Sequence, residues 1–303
     1  MNGKLSNFAQ VASVRRYMFT DGKEKGLEVL DCDNGKLRFL LNVSKACDIM
    51  QLYHEGQNIS FVSKNGFTRR ETDFLSRFEG GMLYTCGLDS LGCRLGYEMH
   101  GTIHNIPAQI ICAKCDEQGI EVQAIISDTA LFGKNLVVKR RIFSAIGSER
   151  ITLEDTLVNE GYKDEEYCLL YHINIGYPML DAGAKIIASF ENIEACGDWA
   201  EENQRTVFEI GDCLPNVEET CYYLRLNNAE ISLVNEKIGK RFVLGYSNDT
   251  LPYFLEWKSM ASGDYALGFE PCTTEIEETF KYSVIKPQES KVFQIKIQIA
   301  DMV

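Results

Sequence analysis

The sequence predicts an all-β protein whose large antiparallel sheets pack face to face. Three observations carry this expectation. Apolar residues recur at every second position along much of the chain, short breaks of Gly, Asn, Asp or Ser separate the runs, and helical spacing is confined to 46–54 and 194–203. Residues 136–143 and 151–158 are two β-branched, aromatic-rich runs on either side of Gly147-Ser148, the pattern of one long hairpin with a tight turn. In the second run Ile151, Leu153, Asp155 and Leu157 alternate with Thr152, Glu154, Thr156 and Val158, so one face is mainly core and the other polar. Runs of the same kind follow at 26–30, 37–43, 120–126, 167–175, 222–226, 242–246, 253–257, 265–269 and 291–299. With helices so scarce there is no crossover for parallel strands, which excludes a doubly wound α/β fold. No composition shift or Pro/Ser-rich linker divides the chain, and residues 1–303 are expected to form a single domain, with a two-domain β protein as the structural alternative.

Composition narrows the functional classes. The 303 residues are 45% hydrophobic and 25% charged, enough to bury a sizeable core and too apolar for disorder. Acidic residues outnumber basic ones 44 to 31, and the resulting charge of -13 repels phosphate backbones and anionic lipid, so neither nucleic acid nor membrane is an expected partner. No stretch reaches the roughly 20 apolar residues of a membrane helix, and MNGKLSNFAQ lacks the apolar core of a signal peptide. A cytoplasmic location is expected. The 11 cysteines are scattered, which suits reduced thiols rather than a disulfide scaffold. Cys112 and Cys115 form a close pair with no second pair to complete a zinc site, and Gly80-Gly81 lacks the lysine of a phosphate loop. Neither a cofactor nor a resident metal is expected, and the sequence is silent on oligomeric state.

Three segments hold residues able to carry chemistry. In 97–108, Glu98, His100, Thr102 and His104 share one face if the segment is extended, either as a solvent-facing edge strand or as a strand facing a ligand. In 168–178, His172 and Asn174 lie on one face and Tyr171, Ile173 and Ile175 on the other, near a strand end marked by Gly176 and Pro178. An imidazole with a pKa of about 6.5 suits general acid work at neutral pH. In 265–272, Ala266, Gly268 and Glu270 share a face, where either two small residues leave room for a flat ligand and Glu270 acts as base, or Glu270 is a rim glutamate before a turn proline. Trp257, facing away from Glu256 and Lys258, offers a ring that stacks on a sugar or fills the core. His54 has no comparable context.

These segments resemble the aldose 1-epimerase (galactose mutarotase-like) superfamily, specifically a poorly characterised bacterial branch. The resemblance rests on Phe78-Glu-Gly-Gly-Met-Leu-Tyr-Thr-Cys-Gly-Leu88, His100-Gly with Asn105-Ile-Pro-Ala108, and Leu153-Glu-Asp-Thr-Leu-Val-Asn159. To these it adds Tyr171-His-Ile-Asn-Ile-Gly-Tyr-Pro178 and Glu256-Trp-Lys through Gly268-Phe-Glu-Pro271. It implies a β-supersandwich with a sugar cleft on its concave face and a small-molecule sugar as partner. Position by position it implies His172 as general acid, Glu270 as general base and His100 as a sugar-holding histidine. Arg77, with Arg69 or Arg70 as substitutes, matches the substrate-contacting arginine. Galactose mutarotases carry Gly-Gly after the first histidine and an Asn-His-Ser-Tyr-Phe-Asn type segment around the second; this chain departs at both.

The implied reaction is exchange of α and β anomers by ring opening, without a cofactor. Glu270 takes the anomeric proton, His172 protonates the ring oxygen, and His100, Arg77, Asn174 and Trp257 hold the sugar. Two alternatives stand beside it: a sugar-binding or sensing protein that retains the cleft without the chemistry, and a metal-dependent sugar isomerase using Glu98, His100 and His104 as ligands. Arg77, Arg69, Arg70 and Lys258 are the residues available to recognise a phosphate or sulfonate on the sugar.

Overall fold

A computed structural model of the chain describes residues 3–276 and 280–302. The first sheet has five antiparallel strands in chain order: β1 (Ser13–Met18), β2 (Glu28–Asp33), β3 (Leu37–Asn42), β4 (Asp48–His54) and β5 (Gln57–Asn58). The second has 13 strands. They are β6 (Tyr84–Leu88), β7 (Gln109–Cys115), β8 (Gly119–Thr129), β9 (Asn135–Ala145), β10 (Arg150–Asn159), β11 (Glu165–Ile175), β12 (Lys185–Ala195), β13 (Thr220–Asn235), β14 (Lys240–Tyr246), β15 (Tyr253–Ser259), β16 (Ala266–Cys272), β17 (Ser283–Ile285) and β18 (Ser290–Asp301). Their spatial order is β17-β11-β16-β15-β13-β14-β18-β10-β9-β8-β7, with β12 beside β13 and β6 beside β11. The fold is thus all-β, in large antiparallel sheets, as the two-residue periodicity requires.

The hairpin of β9 and β10 turns at Gly147, whose φ of 67° suits a residue without Cβ. Along β10, Ile151, Leu153 and Leu157 point inward together with Asp155. One apolar cluster runs from Leu30, Phe39 and Leu52 of the small sheet through Val122, Ile142 and Leu153 to Phe242, Phe269 and Ile297 of the large one. Burial on this scale stabilises at about 25 cal/mol per Å² of apolar surface.

The two helical expectations fare differently. Of 194–203 only Asp198–Asn203 is helical, as α2, while Glu194 and Ala195 end strand β12; 46–54 is not helical at all. Ala46 and Cys47 take left-handed turn conformations, with φ of 48° and 56°, and Asp48–His54 is strand β4. Most of that strand is buried on both faces, so its apolar residues 49, 50, 52 and 53 fall at helix-like spacing instead of alternating. Segment 97–108 is not extended either. His100, at φ 61°, and Gly101 make a turn that leads into a 3₁₀ turn at Ile103–Asn105. A Cβ at position 101 would strike the backbone oxygens of Gly87 and Ser90, so the sequence must carry glycine there.

Candidate functional site

The antiparallel register between β11 and β16 places Asn174 opposite Gly268 and Leu170 opposite Cys272, which sets His172 beside Glu270. Both side chains lie on one sheet face, and His172 Nε2 is 3.2 Å from Glu270 Oε1. On the next strand Trp257 is opposite Gly268. A Cβ on Gly268 would lie 2.5 Å from Glu270 Oε1, 3.1 Å from Trp257 Cε3 and 3.2 Å from His172 Cε1. The space that the small residue leaves is therefore filled by this pair and the indole, and is not open for a flat group against the strand.

These groups floor a cleft of about 760 Å³. Its aromatic wall is Phe61, Phe74, Phe78 and Trp257, and His100 completes it. Ring centres of Trp257, Phe78 and His100 lie 5.4, 5.5 and 6.0 Å from His172. Phe61 arrives because the chain after β5 runs along the end of β11, with Phe61 N–H donating to the Asn174 carbonyl. Phe74 and Phe78 are carried by the short helix α1 (Phe74–Arg77), capped by Asp73, whose side chain accepts from the Ser76 N–H at 3.0 Å. Trp257 Nε1–H donates to Glu219 Oε2 at 2.7 Å, so a carboxylate on the cleft wall fixes the indole.

Burial dominates the electrostatics. It pushes the His172 imidazole well below its ordinary 6.5, His100 nearby adds to this, and a side-chain contact from Asn174 opposes it. It pushes the Glu270 carboxyl well above its ordinary 4.5, and the Glu219 charge adds to that. His100 is lowered to about 4 by burial. His172 Nδ1, His100 Nδ1 and Glu270 Oε1 are buried without hydrogen-bond partners, so polar atoms converge on the cleft unsatisfied by the protein. The 3.2 Å approach of His172 to Glu270 is close, but it is not aligned as a hydrogen bond.

The remaining residues expected at a site are placed elsewhere. Arg77 does not line the cleft; it pairs with Glu98 at 2.8 Å. Arg69 donates to the Gly26 carbonyl, and Arg70 is exposed away from the cleft lining. Asn174 is fully buried and binds the His172 carbonyl at 3.0 Å, so it supports the histidine from behind. Lys258 points to the opposite face, where its Nζ donates to the carbonyls of Thr206, Val207 and Glu209, and it cannot meet an anionic substituent in the cleft. Glu98, His100 and His104 do not converge as metal ligands, because the turn at His100-Gly101 separates them. Glu98 holds Arg77, Thr102 bonds to Asp89, and His104 is buried between Asp48, at 2.6 Å, and Glu79, at 3.4 Å.

That histidine belongs to a buried ionic lattice behind the site. Arg140 donates to both oxygens of Asp155, at 2.9 and 2.7 Å, and also pairs with Asp48, while Glu79 holds Lys45 at 2.9 Å. Tyr171 O–H donates to Asp155 at 2.8 Å, and Tyr84 stacks on His104 at 3.7 Å. Tyr84 is in turn the cross-strand neighbour of His172. Sequence reasoning missed Phe61 and Glu219 as cleft residues, and the only signal for Glu219 was its nearness in sequence to a β-rich run.

The fold and cleft together define a galactose mutarotase-like β-sandwich, and solved structures agree. A candidate aldose 1-epimerase from Klebsiella pneumoniae subsp. pneumoniae superposes with a TM-score of 0.85 at 18% identity, over 95% of this chain and 83% of that one. A galactose mutarotase-like protein from Clostridium acetobutylicum gives 0.72 at 16% identity, over 97% and 100%. A galactose 1-epimerase from Lactobacillus acidophilus gives 0.67 at 12%, over 96% and 100%. At such identities the likeness establishes the fold. A family model described as a domain of unknown function, DUF4432, matches residues 24–299, and the chain belongs to that family. No curated protein matches the sequence. Among the described residues no helix is long and apolar enough to cross a membrane.

Proposed function

We propose that the cleft binds an aldose and interconverts its anomers, with His172 and Glu270 as the proton-transferring pair. The observation that carries this reading is the 3.2 Å approach of His172 Nε2 to Glu270 Oε1 in the floor of an aromatic-walled cleft. Ring opening needs a base to take the proton from the anomeric hydroxyl and an acid to protonate the ring oxygen as its bond to the anomeric carbon breaks. Burial favours the pair as neutral imidazole and protonated carboxyl, which together hold as many protons as imidazolium and carboxylate. A shift of one proton from Glu270 to His172, as sugar hydroxyls bond to the carboxylate, arms the pair. Glu270 then accepts the anomeric proton and His172 donates to the ring oxygen, which returns the pair to its neutral form beside the open-chain aldehyde. Rotation about the bond next to the aldehyde carbon and the reverse transfers close the ring on the other face. His100 orients a hydroxyl, and Trp257 and Phe78 receive an apolar sugar face.

The test is exchange NMR between anomers over a panel of aldoses, beside the uncatalysed rate. Acceleration that disappears in His172→Asn and Glu270→Gln supports the reading. Sugar binding without acceleration overturns it in favour of a sugar-binding protein.

A further inference from the structure

The charged side chains lining the cleft besides Glu270 are Lys64, Glu218, Glu219 and Asp264. Lys64, 70% exposed, pairs at the rim with Asp264, 41% exposed, at 2.7 Å, so the two charges offset one another. Among the described residues no cation lies within ion-pair distance of Glu218 or Glu219; Arg77 is engaged on Glu98, Lys258 on backbone carbonyls, and Arg94 over the Phe280 ring at 3.8 Å. Burial disfavours the charged form of the two histidines of the cleft. Glu218 and Glu219 are exposed at the rim of the cleft, and the Trp257 indole N–H donates to one Glu219 oxygen. Glu270, 1% exposed, turns an oxygen without a hydrogen-bond partner toward the same space.

We infer that the sugar taken by this cleft carries no phosphate, sulfonate or carboxylate, and that an ammonium substituent on it is preferred to a hydroxyl. This rests on the cleft being a sugar site. Recognition of an anion requires a donor set with positive charge, usually arginine, and here the uncompensated charges are carboxylates. A negative group brought beside Glu219 meets like charge at the exposed rim, an effect of modest size that salt weakens. An ammonium group gains from the same field. The effect extends to the chemistry: a second anion hinders ionisation of Glu270, as Glu219 already does, whereas a cation assists it.

The experiment is a binding panel, read by calorimetry separately from anomer exchange. It comprises several neutral aldoses, each with its 2-amino and 6-phosphate derivative, at low and at high salt. The expected affinity order is amino, then parent, then phosphate. At low salt the span from amino to phosphate is about tenfold or more, narrowing at high salt and in a Glu218→Gln, Glu219→Gln double variant. Phosphates binding as tightly as their parents, or a span unmoved by the double variant, overturn the inference, as does failure of every neutral and amino member to bind. The expected order without anomer exchange removes the catalytic reading alone. Exchange with a phosphate preference removes the charge inference alone.

Discussion

The tightest point of the site is Gly268, and adding one methyl there tests whether the His172–Glu270 geometry matters. The new Cβ in Gly268→Ala would stand 2.5 Å from Glu270 Oε1, where ordinary contact begins at 3.4 Å, so the carboxylate must retreat by about 1 Å. Trp257 and His172, at 3.1 and 3.2 Å, must give by a few tenths of an ångström. The backbone of Gly268 is not left-handed, so the alanine adds no conformational strain. Because the cleft offers the carboxylate somewhere to go, the stability cost falls at the low end for overpacking, about 1 kcal/mol. A displacement of about 1 Å of a reacting group costs on the order of a hundredfold in rate. The assay is anomer-exchange NMR on the best substrate of the panel, with a thermal melt beside it. Gly245→Ala on β14 is the control, since its Cβ would meet Ala229 O at 3.7 Å and Lys296 Cβ at 3.8 Å, ordinary contacts. Undiminished exchange in Gly268→Ala, with the melt little changed, refutes the claim that the pair acts through its present geometry.

Other outcomes follow from the same structure. His172→Asn and Glu270→Gln each lower kcat by about 10²- to 10⁴-fold, and circular dichroism spectra like the wild type show that the loss is chemical. The pH profile of kcat/KM has a plateau between an acid and an alkaline limb. Protonating the neutral pair is opposed by the lowered imidazole, so the acid limb lies below 6.5, and deprotonating it is opposed by the raised carboxyl, so the alkaline limb lies well above 4.5. Arg140→Met leaves Asp48 and Asp155 buried without their cation and destabilises by about 3–5 kcal/mol, read from urea unfolding. Burial alone would raise the Asp48 and Glu79 carboxyls, but Arg140 and His104 for the first, and His104 and Lys45 for the second, bring both below their ordinary 3.8 and 4.5. Their contribution to stability is therefore complete above those values and is lost as pH falls through the lower folded-state ones. Urea midpoints measured from about pH 7 down to about pH 3 follow that loss.

Asp155 shows how much of this was legible in the chain. The alternation in 151–158 puts a carboxylate on the core side of a strand, and a buried carboxylate requires partners. That much can be read from residue order. That the partner is Arg140, on the adjacent strand β9, follows from a register in which position 155 meets position 140, and register emerges only when the turn at Gly147 closes. The candidate site obeys the same logic. His172 with Asn174, and Ala266 with Gly268 and Glu270, were visible as faces because side chains alternate along a strand. Their meeting depends on β11 pairing with β16 across nearly a hundred residues of intervening chain, which no local pattern announces. Where the backbone left the extended form, alternation misled: the stripe of Glu98, His100, Thr102 and His104 was dispersed by the turn at His100 and Gly101 to Arg77, the cleft, Asp89 and Asp48. The dispersal has its own physical sense. His104 and its carboxylates support Tyr84, and Tyr84 supports the strand carrying His172. The residue offered as a metal ligand is thus held in a buried charged lattice, packed behind the strand that carries His172.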